Sequence, residues 1–162
     1  MTTSTVTFDF EVFDSIDQLS SDDKALLESA RTVTQKAYAP YSEFLVGAVA
    51  KLVDGKILKG TNQENASYPV GICAERALLA STAMLDSNIA IQTMAIAYHN
   101  LNGDSDKPVS PCGMCRQSLH EYEERTKQPI RLILSGMSGK VYIIERAGLL
   151  LPLSFGSNNL IK

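Results

Sequence analysis

All three cysteines of this chain fall in two short motifs. Cys73-Ala74-Glu75 is one, and Pro111-Cys112-Gly113-Met114-Cys115 is the other. Each lies where a polar loop enters a stretch of helical spacing. Helix N-termini carry partial positive charge and free N–H groups, which favour thiolate over thiol. Cys112 and Cys115 share one face of a first helical turn. Cys73 must then come from a second helix start, so the fold has to bring two helix ends together around one ion. Three thiolates with a carboxylate beside them make the ligand set of a zinc ion that keeps its fourth position open.

The rest of the chain is read around that requirement. Residues 4–13 alternate, with Val6, Phe8, Phe10 and Val12 apolar, which predicts an N-terminal strand. Ser20-Ser21-Asp22-Asp23 supplies cap-type residues for a helix that carries Leu26, Ala30, Val33 and Ala37 and ends before Pro40. Phe44–Val53 and Lys56–Gly60 flank Asp54-Gly55 and predict a hairpin. Residues 61–71 read as a polar loop, and residues 73–85 as the first cysteine helix. Residues 89–98 read as a buried strand, 99–111 as a loop, and 112–125 as the second cysteine helix. Further strands are expected at 130–134 and 140–145, and the tail from Leu149 to Lys162 has little pattern. Interleaved strands and helices imply an α/β fold with one sheet covered by helices. Residues 1–20 read as an extension and residues 21–162 as a single domain.

Composition narrows the partners. A chain of 162 residues, 44% hydrophobic, builds one core. Its net charge of −3 comes with scattered basic residues, which offers nucleic acid no basic stripe. No apolar run approaches a membrane span. The N-terminus has no basic n-region and carries acids early, unlike a secretory signal. The expectation is a soluble cytoplasmic protein whose cysteines bind metal rather than pair as disulfides.

Glu75 carries the chemistry in this reading. A carboxylate beside zinc-activated water takes its proton, and the resulting nucleophile attacks an electrophilic ring carbon, C4 in a cytosine. Arg76, Arg116 and Gln117 stand next to the ligands, where they can offset thiolate charge or hydrogen-bond sulfur. The competing readings are a closed structural zinc site and a redox pair. The first needs His99 or His120 as a fourth ligand. His120 is read as a surface helix residue turned away from the cysteines, and His99 as part of the loop before Pro111.

These motifs resemble those of the zinc-dependent cytidine deaminases of the small, homotetrameric class. YAPYSEFLVGAVA (38–50), TNQENASYPVGICAERALL (61–79), SPCGMCRQSL (110–119) and LLPLSF (150–155) carry the resemblance, which spans roughly residues 21–160. It implies a three-layer α/β/α fold with a mixed five-stranded sheet, here with an extra N-terminal strand. It implies hydrolytic deamination of cytidine and deoxycytidine in pyrimidine salvage, with one zinc ion per subunit. Cys73, Cys112 and Cys115 would hold the ion, and Glu75 would shuttle protons. The backbone of Ala74 and the ring of Phe44 would meet the base. Asn62 and Glu64 would bind the ribose. Ala66, Tyr68 and Phe155 would reach into a neighbouring subunit's site. The chain departs from the family at Leu45, which stands where a proline is common, in the loop 99–110, which is long, and in residues 1–20. A related enzyme acting on blasticidin S or a free base, and a zinc-stabilised binding module, are the alternative functions.

Overall fold

Six strands form one sheet in the computed structural model, which describes residues 1–160. They are β1 (Glu11–Phe13), β2 (Phe44–Leu52), β3 (Ile57–Thr61), β4 (Ile91–Asn100), β5 (Arg131–Ser135) and β6 (Val141–Ile144). Their order across the sheet is β1-β6-β5-β4-β2-β3. Only β4 and β5 run parallel, and the other neighbours are antiparallel. The expected mixed sheet is therefore present as β2–β6, and β1 extends it to six strands.

Three helices cover the sheet: α1 (Ser21–Val33), α2 (Ala74–Leu85) and α3 (Gly113–Thr126). α1 begins where the cap signal lay, with Ser20 Oγ accepting from the Asp23 N–H at 3.2 Å. Strand alternation assigns the layers. Val49, Ala95, Ala97 and Ile133 face Leu26, Leu27 and Ala30 of α1. Ala48, Met94, Ile96, Leu132 and Leu134 face Leu78 of α2 and Leu119 of α3. With both faces covered, β4 reads in sequence as a continuous apolar run. The result is the three-layer α/β/α architecture. Among the described residues no helix is long and apolar enough to cross a membrane.

Two boundaries differ from the sequence reading. Strand pairing at the N-terminus covers Glu11–Phe13 rather than residues 4–13. The reason is the partner: β6 ends at Ile144, opposite the residue before Glu11, so the upstream residues have no ladder to join. β4 runs on through His99 and Asn100 instead of ending at Tyr98, because Leu45 and Phe44 at the start of β2 pair with them. The tail also has more structure than its sequence suggests, with short 3₁₀ turns at Ala147–Leu150 and Ser157–Asn159.

The topology gathers one end of the sheet. The start of β2 and the ends of β3 and β4 lie together, since Gly47 pairs with Thr61 and Phe44 with Asn100. β5 ends on the same side, being parallel to β4. α2 follows β3, and α3 follows β4, so both helix starts return to this end. α2 lies directly on β3: a Cβ at Gly60 would be 2.5 Å from the Ala74 carbonyl oxygen. Only glycine admits that approach, and it fixes the height of the first turn of α2 above the sheet.

Candidate metal centre and active-site pocket

Cys73 is the N-cap of α2, and Cys112 is the N-cap of α3. Cys115 lies in the first turn of α3, fully buried. Cys73 and Cys112 sulfurs are 3.8 Å apart, and those of Cys112 and Cys115 are 3.5 Å apart. All three lie within 4.8 Å of one another. Tetrahedral zinc with bonds of about 2.3 Å to sulfur holds its thiolates about 3.8 Å apart, so the donor set fits this ion. Among the described residues no histidine or carboxylate atom joins the cluster. His99 is paired in β4, and His120 is engaged elsewhere.

The sulfurs are inequivalent. Hydrogen bonding from Cys115, with lesser help from Cys112 and the Arg76 charge, holds the Cys73 thiol down at about 6. That bond and burial push Cys115 up. Of these two thiols, Cys73 is the one that ionises more readily, at the start of α2 where the charge is stabilised. A cation among the sulfurs would pull the others down as well.

A cavity of about 200 Å³ opens beside the cluster. Phe44 and Val46 of β2, Ile96 and Tyr98 of β4, and Val109 of the long loop give it apolar walls. Cys73, Cys112, Ala74, Glu75, Asn62, Ser110 and Ser135 supply its polar groups. Glu75 is only 5% exposed, and burial raises its carboxyl above the usual range. Ala74 is fully buried at the first position of α2, where a backbone N–H has no partner within the helix. Phe44 stacks on Tyr98 with ring centroids 4.8 Å apart. The sequence reading missed Tyr98, which looked like one more apolar position in a buried strand.

The remaining candidate residues separate into two groups. Asn62 lines the cavity, but its side chain also braces β2, accepting from the Val46 N–H at 2.7 Å and donating to the Phe44 carbonyl at 2.9 Å. Glu64 borders an adjacent hollow with Tyr41, Ser42 and Tyr68, accepting from the Tyr41 and Ser42 N–H groups at 2.9 and 3.3 Å. Ala66 is exposed, as are Tyr68 at 74% and Phe155 at 58%, and none of the three lines the cysteine cavity.

Around the cluster the side chains differ from the sequence reading. Gln117 donates to the Phe155 carbonyl at 2.9 Å instead of to sulfur. Arg116 donates to the Pro111 and Leu150 carbonyls, which ties down the residue before Cys112. Arg76 borders a surface cleft between α2 and α3. His120 is not a surface residue: it is 9% exposed, because the C-terminal segment folds back over that side of α3. Glu123, which had drawn no attention, is buried and accepts from the Ile130, Ala147 and Gly148 N–H groups at 2.8–3.0 Å.

Known proteins are similar to this chain in sequence and in fold. Residues 20–128 match the model of the cytidine and deoxycytidylate deaminase zinc-binding region. A cytidine deaminase of Halalkalibacterium halodurans is 37% identical over 100 residues, covering 62% of this chain and 71% of the relative. One from Mycobacterium tuberculosis is 36% identical over 127 residues, covering 76% and 82%. The crystal structure of cytidine deaminase from Burkholderia pseudomallei superposes with a TM-score of 0.71 at 37% identity, covering 85% of this chain and all of that one.

Proposed function

We propose that this chain, which belongs to the cytidine and deoxycytidylate deaminase family, hydrolyses cytidine and deoxycytidine to uridine and deoxyuridine with release of ammonia. The observation that carries the reading is a buried Glu75 lining the same cavity as Cys73 and Cys112, with the stacked ring of Phe44 among its walls. Cavities for drug-sized ligands span roughly 300–1,000 Å³. A space of about 200 Å³ suits one heterocyclic ring, with the sugar outside.

Cys73, Cys112 and Cys115 would hold one zinc ion per subunit. When bound, that ion supplies the Lewis acidity that makes water nucleophilic at neutral pH. Glu75 takes one proton from the attacking water and delivers it to ring N3, then carries the remaining proton of the new C4 hydroxyl to the leaving amine, so that both water protons are placed. A C–O bond forms at C4, and the C4–N bond breaks. The free N–H of Ala74 orients the base, while Phe44, backed by Tyr98, lies against its face and excludes water. Asn62 and Glu64 serve the ribose hydroxyls. Their polar and acidic character, with no arginine beside them, favours a neutral nucleoside over a nucleotide.

Residues 21–162 form the catalytic domain in this reading, and residues 1–20 add an edge strand. Ala66, Tyr68 and Phe155 complete the site of a neighbouring copy, which makes the homotetramer the active form. Pyrimidine salvage in the cytoplasm is the corresponding role.

The test is a competition assay on the zinc-loaded full chain. Cytidine, deoxycytidine, deoxycytidine monophosphate, cytosine and blasticidin S are offered together, and ammonia and products are measured. The two nucleosides are consumed first. Preference for any of the other three overturns the substrate assignment, and failure to consume any of them overturns the reaction.

A further inference from the structure

The helix that carries Cys112 and Cys115 also holds the C-terminal segment. Gln117, His120 and Glu124 follow one another at helical spacing on one face of α3. Gln117 donates to the Phe155 carbonyl at 2.9 Å. The His120 Nε2 and Ser154 Oγ are 2.9 Å apart. The Ser157 hydroxyl donates to Glu124 Oε2 at 3.2 Å. Between these ties the main chain lies against the helix: a Cβ at Gly156 would be 2.9 Å from Glu124 Oε2 and 3.2 Å from His120 Nε2.

His120 is the buried member of the set. Ser154 is the one polar partner its ring has among the described residues, since Nδ1 has none. Phe155 shows the opposite pattern. Its main chain is tied on both sides, yet the residue is 58% exposed. A pinned backbone under an exposed ring is the geometry of an aromatic group held ready for contact. Holding it so removes the ordering cost that a loose side chain carries at the moment of binding.

We propose that His120 is a positioning residue for the deamination reaction: through Ser154 it fixes the direction of the Phe155 ring, and with it nucleoside affinity, without touching the substrate. This rests on the reading that Phe155 covers the base in a neighbouring copy. An interaction of that kind binds substrate and transition state alike, so its loss appears in KM and not in kcat.

The test uses zinc-loaded full-chain His120→Ala, Ser154→Ala, the double variant, His120→Gln and Phe155→Ala, with cytidine as substrate. His120→Ala is expected to raise KM by about two- to tenfold, with kcat and zinc content unchanged. The double variant is no worse than the worse single one, because the two residues act as a unit. His120→Gln, whose amide reaches the same place as Nε2, restores KM. Phe155→Ala raises KM at least as far as His120→Ala does. The chain has no tryptophan, so Phe155→Trp provides a single indole, excited selectively beyond the tyrosine absorption band. Adding His120→Ala to it lowers the emission anisotropy if the tail is released. Unchanged KM in His120→Ala and Ser154→Ala, alongside a raised KM in Phe155→Ala, overturns the positioning role. A fall in kcat alone also overturns it. Unchanged KM in Phe155→Ala overturns the base-covering role of Phe155 and the inference with it. Should His120→Ala fail to fold, Ser154→Ala in the Phe155→Trp background decides the question by the same anisotropy change.

Discussion

Phe44 lies flat on Tyr98, with planes 8° from parallel. Phe44 pairs with Asn100, so Tyr98 is its diagonal neighbour on the same face of β2 and β4. Tyr98 is buried and Phe44 is half-exposed toward the cavity. The inner ring therefore sets the plane of the outer one, and Phe44 offers an oriented face rather than a mobile side chain.

This relationship predicts different outcomes for two substitutions at one position. Tyr98→Phe keeps the stack and leaves KM for cytidine within about twofold. Tyr98→Ala empties a buried site, which lowers unfolding free energy by about 3–5 kcal/mol and raises KM through a loosened Phe44. Urea unfolding and steady-state kinetics on both variants check it. Equal kinetics in the two would mean that Tyr98 does not orient Phe44.

Asn62 has two duties, in the cavity and in the strand. Asn62→Ala leaves the Val46 N–H and the Phe44 carbonyl without their partner. A loss of about 1–3 kcal/mol in stability follows, together with a raised KM. Asn62→Asp keeps the acceptor for Val46 but turns a carboxylate oxygen toward the Phe44 carbonyl. It is expected to be at least as destabilising as alanine, measured by the same urea unfolding series.

Glu123 is a structural carboxylate with three backbone donors. Glu123→Ala takes the carboxylate partner from the Ile130 N–H and from the Ala147 and Gly148 N–H groups that open the turn at Ala147–Leu150, although the Ala147 N–H keeps the Ile130 carbonyl at 2.9 Å. The expected outcome is a loss of about 3 kcal/mol or more, with zinc content and kcat per folded molecule retained. Thermal unfolding followed by kinetics below the transition separates the two effects.

Metal removal should be felt in stability as well as turnover. Three sulfurs within 4.8 Å join the starts of α2 and α3 by weak thiol contacts, and an ion bound among them would tie the two helices far more firmly. At a zinc concentration of 100 times Kd, the bound ion adds about 2.7 kcal/mol to the folded state. Chelation should lower the melting temperature reversibly, and Cys115→Ser should remove most of the zinc response. A melting temperature indifferent to zinc would contradict the assigned ligands.

Much of this site is legible in the sequence because it rests on local rules. Loop-to-helix junctions give Cys73 and Cys112 their cap positions, and the spacing of Cys112 and Cys115 needs nothing beyond helix geometry. The Asp54-Gly55 hairpin and the Ser20 cap follow from turn and cap chemistry in the same way. What escaped depends on partners far away in the chain. The length of β1 is decided by where β6 stops. His99 is drawn into a strand by the start of β2. His120 is polar and sits on a helix, so it reads as surface until the tail returns across it. The Gln117 amide could have served a sulfur, but the Phe155 carbonyl reaches it.

Glu75 is the point on which the account turns, since it is the one carboxyl group among the described residues that line the cavity beside the sulfurs. The most direct measurement compares cytidine turnover and zinc content on the same samples of the unaltered chain and Glu75→Gln. The account predicts about one zinc per chain in both, and a fall in kcat of roughly 10²-fold or more in the variant, the scale of a lost general acid–base. A zinc-loaded Glu75→Gln protein with undiminished turnover, or a zinc-loaded unaltered chain that leaves cytidine intact, would contradict it.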